Sequence, residues 1–158
     1  MYAGPAAPSS PYHDRIKVIP STKVRKIMQR QAKEKLVRGL WQALDRQDWQ
    51  ALPAYFSPDG EIYWQGSNER FDVLGFQRAN SEYPGGWRIE VLRLSGTEGE
   101  SMVSVVRVKA KGGPRFHACS FFSFDAAAEK ICRIDEYWGE MGPAPPWRQN
   151  LGLSRPID

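Results

Sequence analysis

The sequence predicts an α+β domain. Three observations carry this. A long run near the start has helical periodicity, four strand-like segments follow one another at the end, and only short turns ("GTEGE", "KGGP", "DAAAE") separate those segments. Spacings that short join antiparallel neighbours, so the four segments should form a meander. A curved sheet of this kind wrapped over a helical layer would enclose a conical cavity.

Residues 1–20 carry Pro5, Pro8, Pro11 and Pro20 among small residues. Such a composition cannot pack a core, and a flexible or extended arm is expected there. "PST" then offers Ser21 or Thr22 as an N-cap for a helix over 22–46. Leu36, Val37, Leu40, Trp41 and Leu44 give that helix one apolar side. Asp48 is placed to cap a second, short helix in "DWQALPAYF", disturbed by Pro53.

"SPDG" reads as a turn, "EIYW" as a short strand, and "ERFDVLGFQRANSEY" as a helix from about Asp72. After the "PGG" break come "WRIEVLRLS", "SMVSVVRVKA", "RFHACSFFSF" and "KICRIDEYW". The domain is expected over 21–148, with an irregular tail over 149–158.

With 158 residues and 41% hydrophobic content, the chain can build one real core but not comfortably two. No apolar run approaches the roughly 18 residues of a membrane span. The start lacks the basic and apolar regions of a secretory signal, so a cytoplasmic protein is expected. Cys119 and Cys132 both lie in apolar strand segments and are expected to be buried free thiols.

The net charge of +4 is uneven. Residues 13–38 hold nine Lys or Arg against Asp14 and Glu34, a net of +7, which leaves −3 for the rest. The basic stretch could dock on an acidic partner, but a solvated helix face is the simpler expectation. No aromatics interleave with the basic residues for base stacking, so nucleic acid is not an expected partner. No metal-ligand spacing and no phosphate-binding Gly loop is present, and no cofactor is expected.

The last strand raises a chemical question. Alternation puts Cys132, Ile134, Glu136 and Trp138 on one face, and Ile131, Arg133, Asp135 and Tyr137 on the other. Glu136 is then the single carboxylate on an apolar face. Burying it unpaired is costly and shifts its pKa.

The stretches "LVRGLWQALDRQDWQALPAYFSPDGEIYW" and "FFSFDAAAEKICRIDEYW" resemble the nuclear transport factor 2-like superfamily, in its SnoaL-like and ketosteroid isomerase-like branch. The resemblance covers about Leu36 to Arg148 and implies a cone-shaped fold, a curved antiparallel sheet packed on N-terminal helices around a cavity. This fold hosts many chemistries. Against the isomerases, Leu40 falls where they carry an oxyanion-hole tyrosine, Trp64 at their catalytic aspartate, and Ser120 near their protonated aspartic acid. All three groups are absent, which disfavours that mechanism. Against the SnoaL-like cyclases, Ile134 replaces a histidine, while Glu136 keeps an acid where they use an aspartate as acid/base.

The resemblance thus implies that Glu136 is an acid/base at the bottom of an aromatic pocket. Trp64, Trp87, Trp138, Tyr55, Tyr63, Phe56 and Phe122 are candidate pocket aromatics, with Leu40, Ser120 and Ile134 beside them. Each could equally be plain core. His117 is weighed as a second catalytic group, although it alternates with Ala118, Ser120 and Phe122 and so points to the other face. Arg133 and Asp135 resemble the Arg/Asp pairs of epoxide hydrolases on this fold, but a surface salt bridge is expected of them.

The reading is a pocket protein for a small apolar organic ligand. Its chemistry would be cofactor-free cyclisation, isomerisation or dehydration by Glu136. The rivals are a ligand-binding protein without turnover, and an interaction module whose outer sheet face dimerises. A homodimer is expected, from an outer face holding Ile131, Tyr137, Phe121 and His117.

Overall fold

The computed structural model describes residues 21–97, 100–127 and 129–157, so the arm expected over 1–20 lies outside the described residues. The element order is α1 (Ser21–Arg46), a short 3-10 helix (Leu52–Tyr55), β1 (Phe56–Trp64), β2 (Glu69–Asp72), α2 (Val73–Ser81), β3 (Trp87–Gly96), β4 (Met102–Ala110), β5 (Arg115–Phe124), β6 (Ile131–Glu140) and α3 (Pro146–Gln149). The α+β plan and the curved sheet packed on an N-terminal helix are both present.

The six strands run in the order β2-β1-β6-β5-β4-β3. β3 to β6 form the antiparallel meander, with Trp87 opposite Ala110, Ser104 opposite Ser120, and Ser120 opposite Glu136. β1 closes the sheet by pairing parallel to β6, which sets Ile62 beside Ile134 and Trp64 beside Glu136.

α1 packs its second half on this sheet. Val37, Leu40, Trp41, Ala43 and Leu44 are buried there, at helical spacing on one side. Residues 21–32 are exposed apart from half-buried Gln29, and Val24, Ile27 and Met28 are among the exposed ones. One polar residue joins the buried side. The Lys33 ammonium donates to the Glu100 backbone oxygen at 2.7 Å and stands 5.4 Å from the Phe124 ring centre. The far end of α1 is tied to β3: the Trp87 indole N–H donates to the Leu44 carbonyl at 3.1 Å, and Asp45 Oδ1 accepts from the Ile89 amide at 2.7 Å. α2 starts at its cap, where Asp72 Oδ1 accepts from the Gly75 amide at 2.6 Å.

Several sequence expectations are corrected. The helix expected after Asp48 reduces to a single 3-10 turn, because Pro53 supplies no amide for a longer helix. "SPDG" belongs to β1, whose register slips between Phe56 and Glu61, where Pro58 cannot donate to a neighbour. β2 is an additional edge strand. In β6, Ile131 and Arg133 pair with both neighbours, while Cys132 between them pairs with neither. This bulge turns Ile131 inward, where it is fully buried, rather than onto the outer face. Cys119 and Cys132 are free, but half-buried rather than buried. Among the described residues, no helix is long and apolar enough to cross a membrane.

Candidate functional site

The concave face of the sheet, the end of α1 and α2 enclose a cavity of about 240 Å³. α1 contributes Trp41 and Leu44, and α2 with its C-terminal extension contributes Phe76, Ala79, Asn80 and Tyr83. The sheet supplies Trp64, Trp87, Ile89, Val108, Ala110, Phe116, Glu136 and Trp138. The α2 contribution follows from helical spacing: positions 76, 79, 80 and 83 share one side.

Glu136 is 2% exposed and, among the described residues, is the only lining residue with a formal charge. Three adjacent strands converge on it. From β1, the Trp64 indole N–H donates to Oε2 at 2.8 Å. From β6 itself, the Trp138 indole N–H donates to the same oxygen at 3.1 Å. From β5, the Ser120 hydroxyl donates to Oε1 at 3.3 Å. Burial pushes the Glu136 carboxyl above its ordinary range, and the donors Trp138, Trp64 and Ser120 pull against that rise. Burial dominates, so the carboxyl is held above its ordinary range, and a carboxyl can both take and give a proton.

Of the residues singled out in the sequence, Glu136, Trp64, Trp87 and Trp138 line the cavity together. Ser120 is fully buried behind Glu136 and reaches the cavity only through it. Leu40, Phe122 and Ile134 do not line it. They are core beneath the floor, where Phe122 meets Trp41 edge to face at 6.3 Å between ring centres. Tyr55 also lies elsewhere, at the end of the 3-10 helix against Gly39 of α1. Tyr63 neighbours Trp64 in a strand, so strand alternation sends it to the opposite face. There its hydroxyl donates to Glu61 at 2.6 Å, and the Arg133 guanidinium stacks 3.9 Å from its ring centre.

His117 lies on the outer face as well, paired with Arg107 and Gly139, on the side of the sheet opposite Glu136. Arg133 and Asp135 form a bidentate ion pair on that outer face at 2.6 and 2.7 Å. Sequence reasoning missed Phe76, Ala79, Asn80 and Tyr83, although their spacing in "FQRANSEY" was available as a signal.

No known family profile matches the sequence, and no curated protein matches it. Solved structures do match. A protein assigned as a ketosteroid isomerase from Kribbella flavida is similar at a TM-score of 0.67 and 25% identity, over 81% of this chain and 93% of that one. An NTF-2-like protein of unknown function from Burkholderia xenovorans is similar at a TM-score of 0.67 and 22% identity, over 83% of this chain and 99% of that one. A protein assigned as a SnoaL-like polyketide cyclase from Shewanella denitrificans reaches a TM-score of 0.56 at 15% identity, over 68% of this chain and 90% of that one. The fold is thus that of nuclear transport factor 2-like proteins, a curved sheet packed on an N-terminal helix around a cavity.

Proposed function

We propose that this chain binds a small, largely apolar organic molecule and moves a proton on it with Glu136, without a cofactor. The supporting observation is a carboxyl 2% exposed at the wall of an aromatic cavity, fixed by three donors. Both acceptor positions of Oε2 are taken by indole N–H groups, which only donate. Oε1 has one partner, Ser120, which leaves the carboxyl room for a further hydrogen bond. A carboxylate there takes a proton from an acidified C–H or O–H of the ligand. The resulting acid returns it at another position, for a net isomerisation or cyclisation with no net proton change.

The test uses small cyclic ketones and diketones in deuterated water. The parent should speed exchange of the hydrogen next to the carbonyl, and Glu136→Gln should not. Equal exchange by both proteins would overturn the catalytic reading.

A second reading, ligand binding without turnover, is favoured by one observation: two donors already occupy Oε2, and none of the three isomerase groups is present. In that case ligands are retained and never converted.

We also propose that two copies associate through the outer sheet face. Phe121 and Tyr137 meet there edge to face at 6.0 Å and are 44% and 51% exposed. Half-buried His117 and Cys119 continue that strip.

A further inference from the structure

Among the described residues, the carboxyl of Glu136 has no counter-ion. Its three partners, Trp64, Trp138 and Ser120, are all neutral. Among the described residues, no Lys, Arg or His lines the cavity, and Tyr83 is the only other titratable group facing it. Yet the two indoles can only donate, so this environment is built around an oxygen that accepts. A site made for a permanently neutral acid would offer its proton an acceptor, and only the Ser120 hydroxyl could serve. The cavity surrounds this group with aromatic rings, among them Trp41, Trp64, Trp87 and Trp138. Rings attract cations through their negative faces, and the attraction grows when water is excluded. Polar lining beyond Glu136 amounts to Asn80 and Tyr83. The cavity of about 240 Å³ is smaller than the roughly 300–1,000 Å³ of drug-sized sites.

We propose that the ligand is a small organic cation, an aromatic or aliphatic body bearing one protonated nitrogen, which supplies the charge that Glu136 lacks. The ammonium sits against the Glu136 carboxylate, and the apolar body fills the tryptophan-lined space. This deepens the pocket reading above and rests on it. It carries a linkage of definite sign. A bound cation favours the ionised carboxylate, so binding should expel a proton from Glu136. Affinity should rise with pH through the titration of Glu136 in the free protein. It should fall only as the amine itself loses its proton, near a pH of about 10.

The probes are phenylalkylamines with one to three methylenes and the matching phenylalkanols. Calorimetric titration of the parent from pH 5 to pH 8, in two buffers of different ionisation enthalpy, reads affinity and proton release together. The best amine should bind roughly tenfold or more tighter than its alcohol at pH 8, with proton release growing as the pH is lowered. That preference should vanish in Glu136→Gln. An alcohol that binds as tightly as its amine would overturn the cation inference, while its occupancy of the cavity would leave the pocket reading standing. Binding of neither series would overturn both. The comparison within the parent stands even where the Gln variant does not fold.

Discussion

Trp64 and Glu136 sit side by side across the parallel pairing of β1 and β6, and the Trp64 indole N–H reaches Glu136 Oε2 at 2.8 Å. That contact joins two strands distant in sequence and fixes the carboxyl group of the cavity wall.

Glu136→Gln should fold and be the more stable protein near neutral pH. Burial holds the folded carboxyl above the unfolded value of about 4.3, so the fold prefers the protonated form. The stability this gives is complete below the unfolded value and is lost as pH rises through the folded one. A Gln oxygen can accept from both indoles while its amide donates to Ser120, so no contact is sacrificed. Thermal unfolding should show equal stability at acid pH and a higher melting temperature for the variant at pH 7. A lower one at pH 7 would mean that Glu136 is stabilised as an anion.

Trp64→Phe and Trp138→Phe each remove one donor from Oε2. Each should raise the Glu136 titration further, because both indoles favour the charged form. A lost hydrogen bond to a charged group costs about 1.5–3 kcal/mol, so either variant should be weakened more at pH 8 than at pH 4. Carbon-13 titration of the Glu136 carboxyl in the parent and both variants reads this directly. An unmoved midpoint would show that the indoles do not tune the acid.

At the other end of α1, Lys33→Ala should destabilise by about 1–3 kcal/mol in urea unfolding, since it strips the Glu100 carbonyl of its donor. Glu100→Gln should change stability by less than about 1 kcal/mol. Its side chain is 67% exposed and the ion pair to Lys33 is 3.5 Å long, so water screens it. A larger loss from Glu100→Gln would move the anchoring role from the backbone oxygen to the charge pair.

On the outer face, sedimentation at micromolar concentration should give twice the 18.0 kDa chain mass. Phe121→Lys should return the monomer, because it places a charge in the centre of the apolar strip. A parent that sediments as a monomer would remove the self-association proposal.

Much of this architecture was legible. The stripe Val37, Leu40, Trp41 and Leu44 fixed the buried side of α1, and "RFHACSFFSF" matches β5 residue for residue. Glu136 stood out because alternation aligned it with Ile134. Other features carried no readable signal. β2 has four residues, none fully buried, so it lacks an apolar alternation. The Cys132 bulge inserts one residue without altering composition, and it reversed the side assigned to Ile131. Tyr63 and Trp64 could not both face the cavity from one strand, so strand alternation alone ruled out that pairing. Tyr55, Leu40, Phe122 and Ile134 show that an apolar residue near a cavity is more often its foundation than its surface.

The parallel closure of β1 on β6 also sets the order in which the site can come into being. Trp64 is separated by 72 residues from the acid it holds, whereas each hairpin of the meander joins near neighbours. Bringing such distant segments together costs chain entropy that local pairings do not. During synthesis Trp64 emerges long before β6 exists, and no cavity can form until the final strand has left the ribosome. The acid and Trp138 beside it are therefore the last parts of the cavity wall to arrive, and a chain cut short before Ile131 lacks both.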